Sequence, residues 1–387
     1  MDLSILSTNL RRLRTASGKS QGELAELSGL SRVGYRSIEA GQVAPRVDSL
    51  MRVAGALGVG IEQLLAPART LSQVRFRAQK KMHSRDDLLV RVARKLDDFN
   101  DLERLLDRST AFVFAPVRKE LGRKKPGPLR AKASALVARK VVGIQDDELI
   151  RDICGLLEDH GVKVLTPKVA SEGFFGLSIA DADGGPAVVV NTWDRISVER
   201  WIFTAAHELG HLLLHLGSYD VAETDENKEE ESEADVFAGY FLVPETTFAA
   251  ELANSRGLPL VDRVFKLKRI FRVSYRTVLY RMGEHLAAAE RQKLWIRFQA
   301  DFKRRSGRGL SRASEPDGLP PEAFHGSPPD RGADEPERLL PSDFVEDRLY
   351  RLVREAVEKE AITLSRAAEI LGIGVEEMRD LTASWAE

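Results

Sequence analysis

The chain has 387 residues, 43% of them hydrophobic and 30% charged, with a formal net charge of −1. This length suits two or three domains, each able to bury a core, and the composition is that of a soluble globular protein. One cysteine, Cys154, excludes an internal disulfide and fits a reducing cytosol. The absence of any apolar run near 18 residues, or of a secretory signal at the start, predicts a cytoplasmic protein with no membrane partner.

Residues 5–65 read as five short helices. Ser20 and Glu23 form a capping box for the second, Gly29 makes a turn, and Ser31 opens the third, which Gly41 closes. Leu10, Leu13, Leu24, Ala25, Leu30, Val33, Ile38, Leu50, Val53, Ala54, Leu57, Ile61 and Leu64 recur at helical spacing and predict one small core. Leu88, Leu89, Val92, Leu96, Phe99, Leu102, Leu105 and Leu106 then mark a long amphipathic helix, a spacer or a dimer seam. The run RKELGRKKPGPLRAK reads as a boundary or exposed loop, broken by Pro126 and Pro128.

Residues 131–282 are mixed. A helix is predicted over 146–160, strands in VKVLTP, FFGLSIA and PAVVVNT, and further helices near 244–254, 260–270 and 274–288. Residues 305–340 have the composition of a linker, and 343–385 read as two or three helices with a helix-turn-helix cadence. Charge is unevenly spread. Residues 69–140 hold 20 Lys and Arg against 8 Asp and Glu, and residues 141–256 hold 7 against 23. Such asymmetry suggests separate partners, nucleic acid among them, or attraction between the two stretches, with the basic one docked over a cleft until DNA or salt releases it.

Within TAAHELGHLLLH, His207, Glu208 and His211 form H-E-x-x-H. On a helix the two histidines share a face and can hold one zinc ion, and Glu208 is placed to take a proton from a water there. His215 lies about 12 Å along the helix from His207, too far for both to bind one ion, and is assigned a supporting role around the ligands.

Two stretches carry resemblances. The segment LRRLRTASGKSQGELAELSGLSRVGYRSIEAGQVAPRVDSLMRVAGALGVGIEQLL resembles the lambda-repressor/Cro-type helix-turn-helix of the XRE family. The resemblance implies operator DNA, usually bound as a homodimer, with Ser31, Arg32, Tyr35 and Arg36 at base edges and Gln21 near phosphate. Gly34 departs from a good helix former inside the recognition helix, at about 1 kcal/mol relative to Ala. The segments VVVNTWDRISVERWIFTAAHELGHLLLH and ESEADVFAGYFLVP resemble the ImmA/IrrE zinc metallopeptidases. In that family the third ligand is a glutamate on the following helix. Glu230, Glu231 and Glu233 are candidates, and Glu231 is favoured, with Asp235 supporting a ligand histidine. Glu233 points about 160° from Asp235 on an ideal helix.

The expected fold is multidomain and mainly α: a five-helix N-terminal domain, a central α+β zincin-like domain with a small sheet, and a C-terminal helical region. The expected boundaries are 1–68 for DNA binding, 69–130 for a basic helical linker, 131–290 for a zinc peptidase, 291–342 for a helical extension and linker, and 343–387 for the C-terminal region. The implied function is a DNA-binding regulator with a gluzincin-like zinc endopeptidase that cleaves a repressor or antitoxin-like protein. The alternative is a regulator whose zinc domain is a non-catalytic sensor or interaction module.

Overall fold

Side-chain caps and left-handed glycines set the first helices. In the computed structural model, which describes residues 3–65, 71–76, 85–222, 227–311, 314–318 and 335–385, these are α1 (Leu3–Ala16), α2 (Gln21–Leu27), α3 (Arg32–Glu39), α4 (Val47–Leu57) and α5 (Ile61–Leu65). The Ser20 hydroxyl accepts from the Glu23 amide at 3.2 Å, and the Glu23 carboxylate accepts from the Ser20 amide at 2.7 Å. Ser31 accepts from the Gly34 amide at 3.0 Å, and a Cβ at 34 would lie 3.0 Å from that same oxygen. The tight cap therefore accounts for the helix-weakening glycine.

Leu6, Leu10, Leu24, Tyr35, Ile38, Leu50, Val53 and Leu64 are buried together. Leu13, Leu30, Leu57 and Ile61 pack against them. Val33, expected inside, is 75% exposed. Residues two apart on a helix point about 160° apart, so burying Tyr35 turns Val33 outward.

By contact, the chain divides into one compact unit of Met1–Leu71 with His83–Arg94 and another of Ser72–Met82 with Lys95–Glu387. Helix α6 (Arg85–Leu106) runs from the first into the second. In the second unit a four-stranded sheet has the order β1 (Val74–Phe76), β3 (Gly176–Ile179), β4 (Ala187–Val190), β2 (Lys163–Leu165). β1 and β4 run antiparallel to β3, and β2 runs parallel to β4. All residues of β3 and β4 are buried, as expected for apolar strands covered on both faces. β1 was not foreseen. Its three residues are held by pairing with β3, by Phe76 stacked on Phe174 at 5.2 Å, and by Asp183 accepting from the Ser72 and Gln73 amides.

Helix α10 (Val198–Leu214) lies on β3 and β4 and packs along α11 (Lys228–Leu242). α11 in turn packs along α8 (Pro128–Val141), which follows α7 (Ala115–Leu121). The predicted helix 146–160 is shorter: α9 spans Ile153–Asp159, because the Asp152 side chain caps it by accepting from the Gly155 amide. α12 (Glu245–Asn254), α13 (Leu260–Phe271), α14 (Tyr275–Gly283) and α15 (Ala288–Ser306) follow, then α16 (Arg348–Glu358), α17 (Leu364–Leu371) and α18 (Val375–Ser384).

From Lys95 onward the basic stretch packs inside the second unit. Arg118 pairs with Asp181, Arg130 with Glu233 and Lys132 with Glu245. Part of the expected linker also packs there: Glu315 lies 3.3 Å from Lys268, and Leu339 is buried. Residues 223–226 of the acidic run, and 312–313 and 319–334 of the linker, lie outside the described residues. Among the described residues, no helix is long and apolar enough to cross a membrane.

Candidate metal centre

α10 begins at Ser197, whose hydroxyl accepts from the Arg200 amide, and is apolar toward the sheet. α11 begins at Asn227, whose side chain accepts from the Glu229 and Glu230 amides, and carries three glutamates in its first turn. Carboxylates are favoured there by the partial positive charge of a helix N-terminus. Side by side, the two helices bring His207, His211 and Glu231 together, with one donor atom from each lying within 4.8 Å of the others. The two Nε2 atoms are 3.0 Å apart, and the Glu231 oxygens lie 3.3 Å from His207 Nε2 and 3.4 Å from His211 Nε2.

The surrounding hydrogen bonds assign the tautomers. His207 Nδ1 donates to Asp235 at 2.9 Å, so Nε2 is the nitrogen that would present its lone pair to an ion. His215 Nε2 donates to Glu233 at 3.0 Å, so its Nδ1 accepts from His211 Nδ1 at 2.8 Å, and the His211 Nε2 lone pair faces His207. Two imidazole lone pairs and a carboxylate converging on one point fit a divalent cation. Arg130 donates to both Glu233 oxygens, and the Gly127 amide donates to one of them. Burial works against ionisation of Glu233, but these bonds bring its pKa down to about 2. Glu233 is therefore committed to His215 and Arg130.

Glu208 faces the same cleft. Its Oε2 accepts from Ser178 on β3 at 2.7 Å, and Ser178 accepts from the Tyr219 hydroxyl at 2.8 Å. Burial pushes the Glu208 carboxyl up to about 7, so it can take up and release a proton near neutrality. Gly176 permits the close approach of β3 to α10: a Cβ there would lie 2.6 Å from Thr204 and 2.7 Å from the Val189 carbonyl. Burial would raise Glu231, but hydrogen bonds with His207 and His211 hold it far below the usual carboxylate range.

The cleft holds about 170 Å³ and is lined by Arg75, Phe175, Gly176, Arg200, Phe203, His207, Glu208, His211, Glu231 and Asp235, among others. Tyr219 is turned into Ser178 behind Glu208, and Tyr240 packs against Arg281 and Lys132. Sequence reasoning missed Arg75, Ser178 and Arg130. Arg75 on β1 pairs with Glu230 and, at 2.8 Å, with Glu231, across 156 residues of chain. No local pattern signals such partners. Glu230, another candidate ligand, pairs with Arg75 and accepts from the Ser218 hydroxyl.

In the N-terminal unit, Arg32 and Arg36 are exposed on α3, as is Ser31, which caps it. Tyr35 corrects the expectation: it is fully buried, so its ring is core and cannot reach a base edge. Gln21 also turns inward, donating to Glu39 at 2.8 Å, where Arg14 forms a two-pronged pair with the same carboxylate. The side chain at position 21 is thus occupied within the domain.

A search of curated proteins finds no match to this chain. The family model described as a helix-turn-helix matches residues 10–64. The model described as an IrrE N-terminal-like domain matches residues 157–282, a span that contains β3, β4, α10 and α11. The chain therefore joins an XRE-type helix-turn-helix domain to an ImmA/IrrE-type metallopeptidase-family domain.

Proposed function

We propose that the chain is a cytoplasmic, dimeric, operator-binding regulator whose central domain is a zinc-dependent endopeptidase acting on a repressor or antitoxin-like protein. One observation carries the reading: the His207, His211 and Glu231 donors converge in the cleft that also presents Glu208. A two-histidine, one-carboxylate set leaves room for a reactant, which favours catalysis over a closed structural site.

Zinc, when bound by these three side chains, would polarise a scissile carbonyl and acidify water. Glu208 accepts the proton from the attacking water as its oxygen bonds to the carbonyl carbon. The same carboxyl then delivers that proton to the departing amine nitrogen as the C–N bond breaks. Ser178 holds the Glu208 carboxyl toward the cleft. Asp235 and His215 orient the two ligand imidazoles.

The test is induction of the zinc-loaded chain beside its Glu208→Gln variant, with protein abundances followed over time. A regulatory protein should be cut only by the wild type, while both retain zinc by elemental analysis. Regulation that persists unchanged in Glu208→Gln would favour the non-catalytic alternative.

A further inference from the structure

Beyond Asp235 lies a second cavity of about 230 Å³. It shares Arg200, Phe203 and Asp235 with the metal cleft. Asp235 is also the hydrogen-bond partner of His207, so the second cavity opens one side chain away from a candidate ligand. Its walls include Phe203, one turn before His207 on α10, and Gly239, one turn after Asp235 on α11. Ser274, Arg276, Thr277 and Tyr280, from the start of α14, and Trp295 of α15 complete it.

We propose that this cavity receives an aromatic side chain of the protein substrate, on a residue next to the bond that is cut. The inference rests on the peptidase reading above. Size supports it: the cavity is smaller than the roughly 300–1,000 Å³ of small-molecule pockets, and suits one large side chain. The walls support it too. Phe203, Tyr280 and Trp295 offer ring edges and faces to a further ring, and Tyr280 is 38% exposed in the free protein. Charge narrows the choice. Arg200 and Arg276 outnumber Asp235, so a Lys or Arg side chain meets like charge, whereas guanidinium groups attract the face of a ring. Arg200 already stacks this way on Phe175, 4.3 Å from the ring centre.

Two measurements test the proposal on the full chain. In the first, zinc-loaded protein is titrated with phenylalanine hydroxamate and alanine hydroxamate, which share the metal-binding group. The phenylalanine probe should bind about 10-fold tighter or more, from burial of its ring. The difference should vanish in Gly239→Leu. A Cβ at 239 meets only Arg281 Cδ, at 3.8 Å, so a side chain can start there in ordinary contact, and a leucine would take up space in the cavity that Gly239 lines. Equal affinities in the wild type, or an unchanged ratio in Gly239→Leu, overturn the aromatic pocket whether or not any protein is cut. In the second, cleavage sites in a mixed peptide library should carry Phe, Tyr or Trp at one fixed flanking position, with Gly239→Leu shifting that position to Ala or Ser. Cleavage without aromatic preference refutes the pocket and leaves the peptidase standing. Selective hydroxamate binding without any cleavage supports the pocket and refutes the peptidase.

Discussion

His215 shows how much one residue's role depends on its neighbours. It cannot reach the ion site that His207 helps to form, yet its Nδ1 accepts from His211 and so fixes which His211 nitrogen faces the cleft. Glu233 and Arg130 hold it in that state. His215→Phe should therefore weaken metal binding about 10–100-fold, the usual effect of removing a partner behind a ligand. Glu231→Ala should abolish stoichiometric binding. Competition against a chromophoric chelator measures both, and an unchanged affinity in His215→Phe would remove the positioning role. The preference for Glu231 over Glu233 joined the family resemblance, which implies a glutamate on the helix after H-E-x-x-H, to the helical angle relative to Asp235; in the structure Glu231 faces both histidines and Glu233 faces His215 and Arg130. What helical angle could not supply was Arg75, which reaches Glu231 from a strand far away in sequence.

At the scale of the element, α3 divides its residues between core and surface more sharply than its motif suggested. Tyr35, Ile38 and Glu39 form its buried stripe, and Arg32 and Arg36 stay outside. Glu39 is kept ionised despite burial by hydrogen bonds from Arg14 and Gln21, so the inner end of α3 is tied to α1 and α2. Arg36→Ala should cost about 1–3 kcal/mol of sequence-specific DNA binding if it grips a guanine, with no loss of folding. Tyr35→Ala should instead destabilise the domain by about 3–5 kcal/mol, as for other large buried rings. Footprint titrations beside thermal denaturation separate the two. A folded Tyr35→Ala protein with lost base preference would restore Tyr35 to the interface. Periodicity alone had placed Val33 inside, because a short helix offers too few turns to define which apolar face wins.

For the molecule as a whole, part of the charge asymmetry is neutralised inside the second unit. The basic stretch supplies Arg75, Arg118, Arg130 and Lys132, and the acidic stretch supplies Glu230, Glu231, Asp181, Glu233 and Glu245. The Arg75 and Arg130 side chains are only 2% and 5% exposed, and buried pairs are screened little by salt. This corrects the expectation of a detachable arm released by moderate salt. A second buried carboxyl ties α9 to the C-terminal helices: Glu158 accepts from the Arg348 amide at 3.2 Å, while its other oxygen has no partner among the described residues. Burial pushes Glu158 up to about 8 from an ordinary value near 4.5. The folded state thus favours the protonated form. Its contribution to stability is full below pH 4.5 and is lost as pH rises through about 8. Glu158→Gln should flatten this decline, so the variant gains on the wild type toward pH 9 in denaturation curves. Parallel curves for the two proteins would show that Glu158 does not titrate in this way.

The local sequence determined the parts whose physics is local. The Ser20–Glu23 cap, the i, i+4 histidines around Glu208, and the spacing of Glu231 and Asp235 were all readable, because each depends on helix geometry within a few residues. So were β2, β3 and β4, whose apolar runs exceed what a surface strand needs. Tertiary structure decided the rest. β1 is a strand only because β3 offers it an edge, and Arg130 is a buried partner of Glu233 only because α8 packs against α11. The second cavity exists because α14 and α15 bring Tyr280 and Trp295 near Asp235, more than 40 residues away along the chain. Side chains meeting over such separations leave no periodic trace, since packing and charge pairing act through space and take no account of sequence distance.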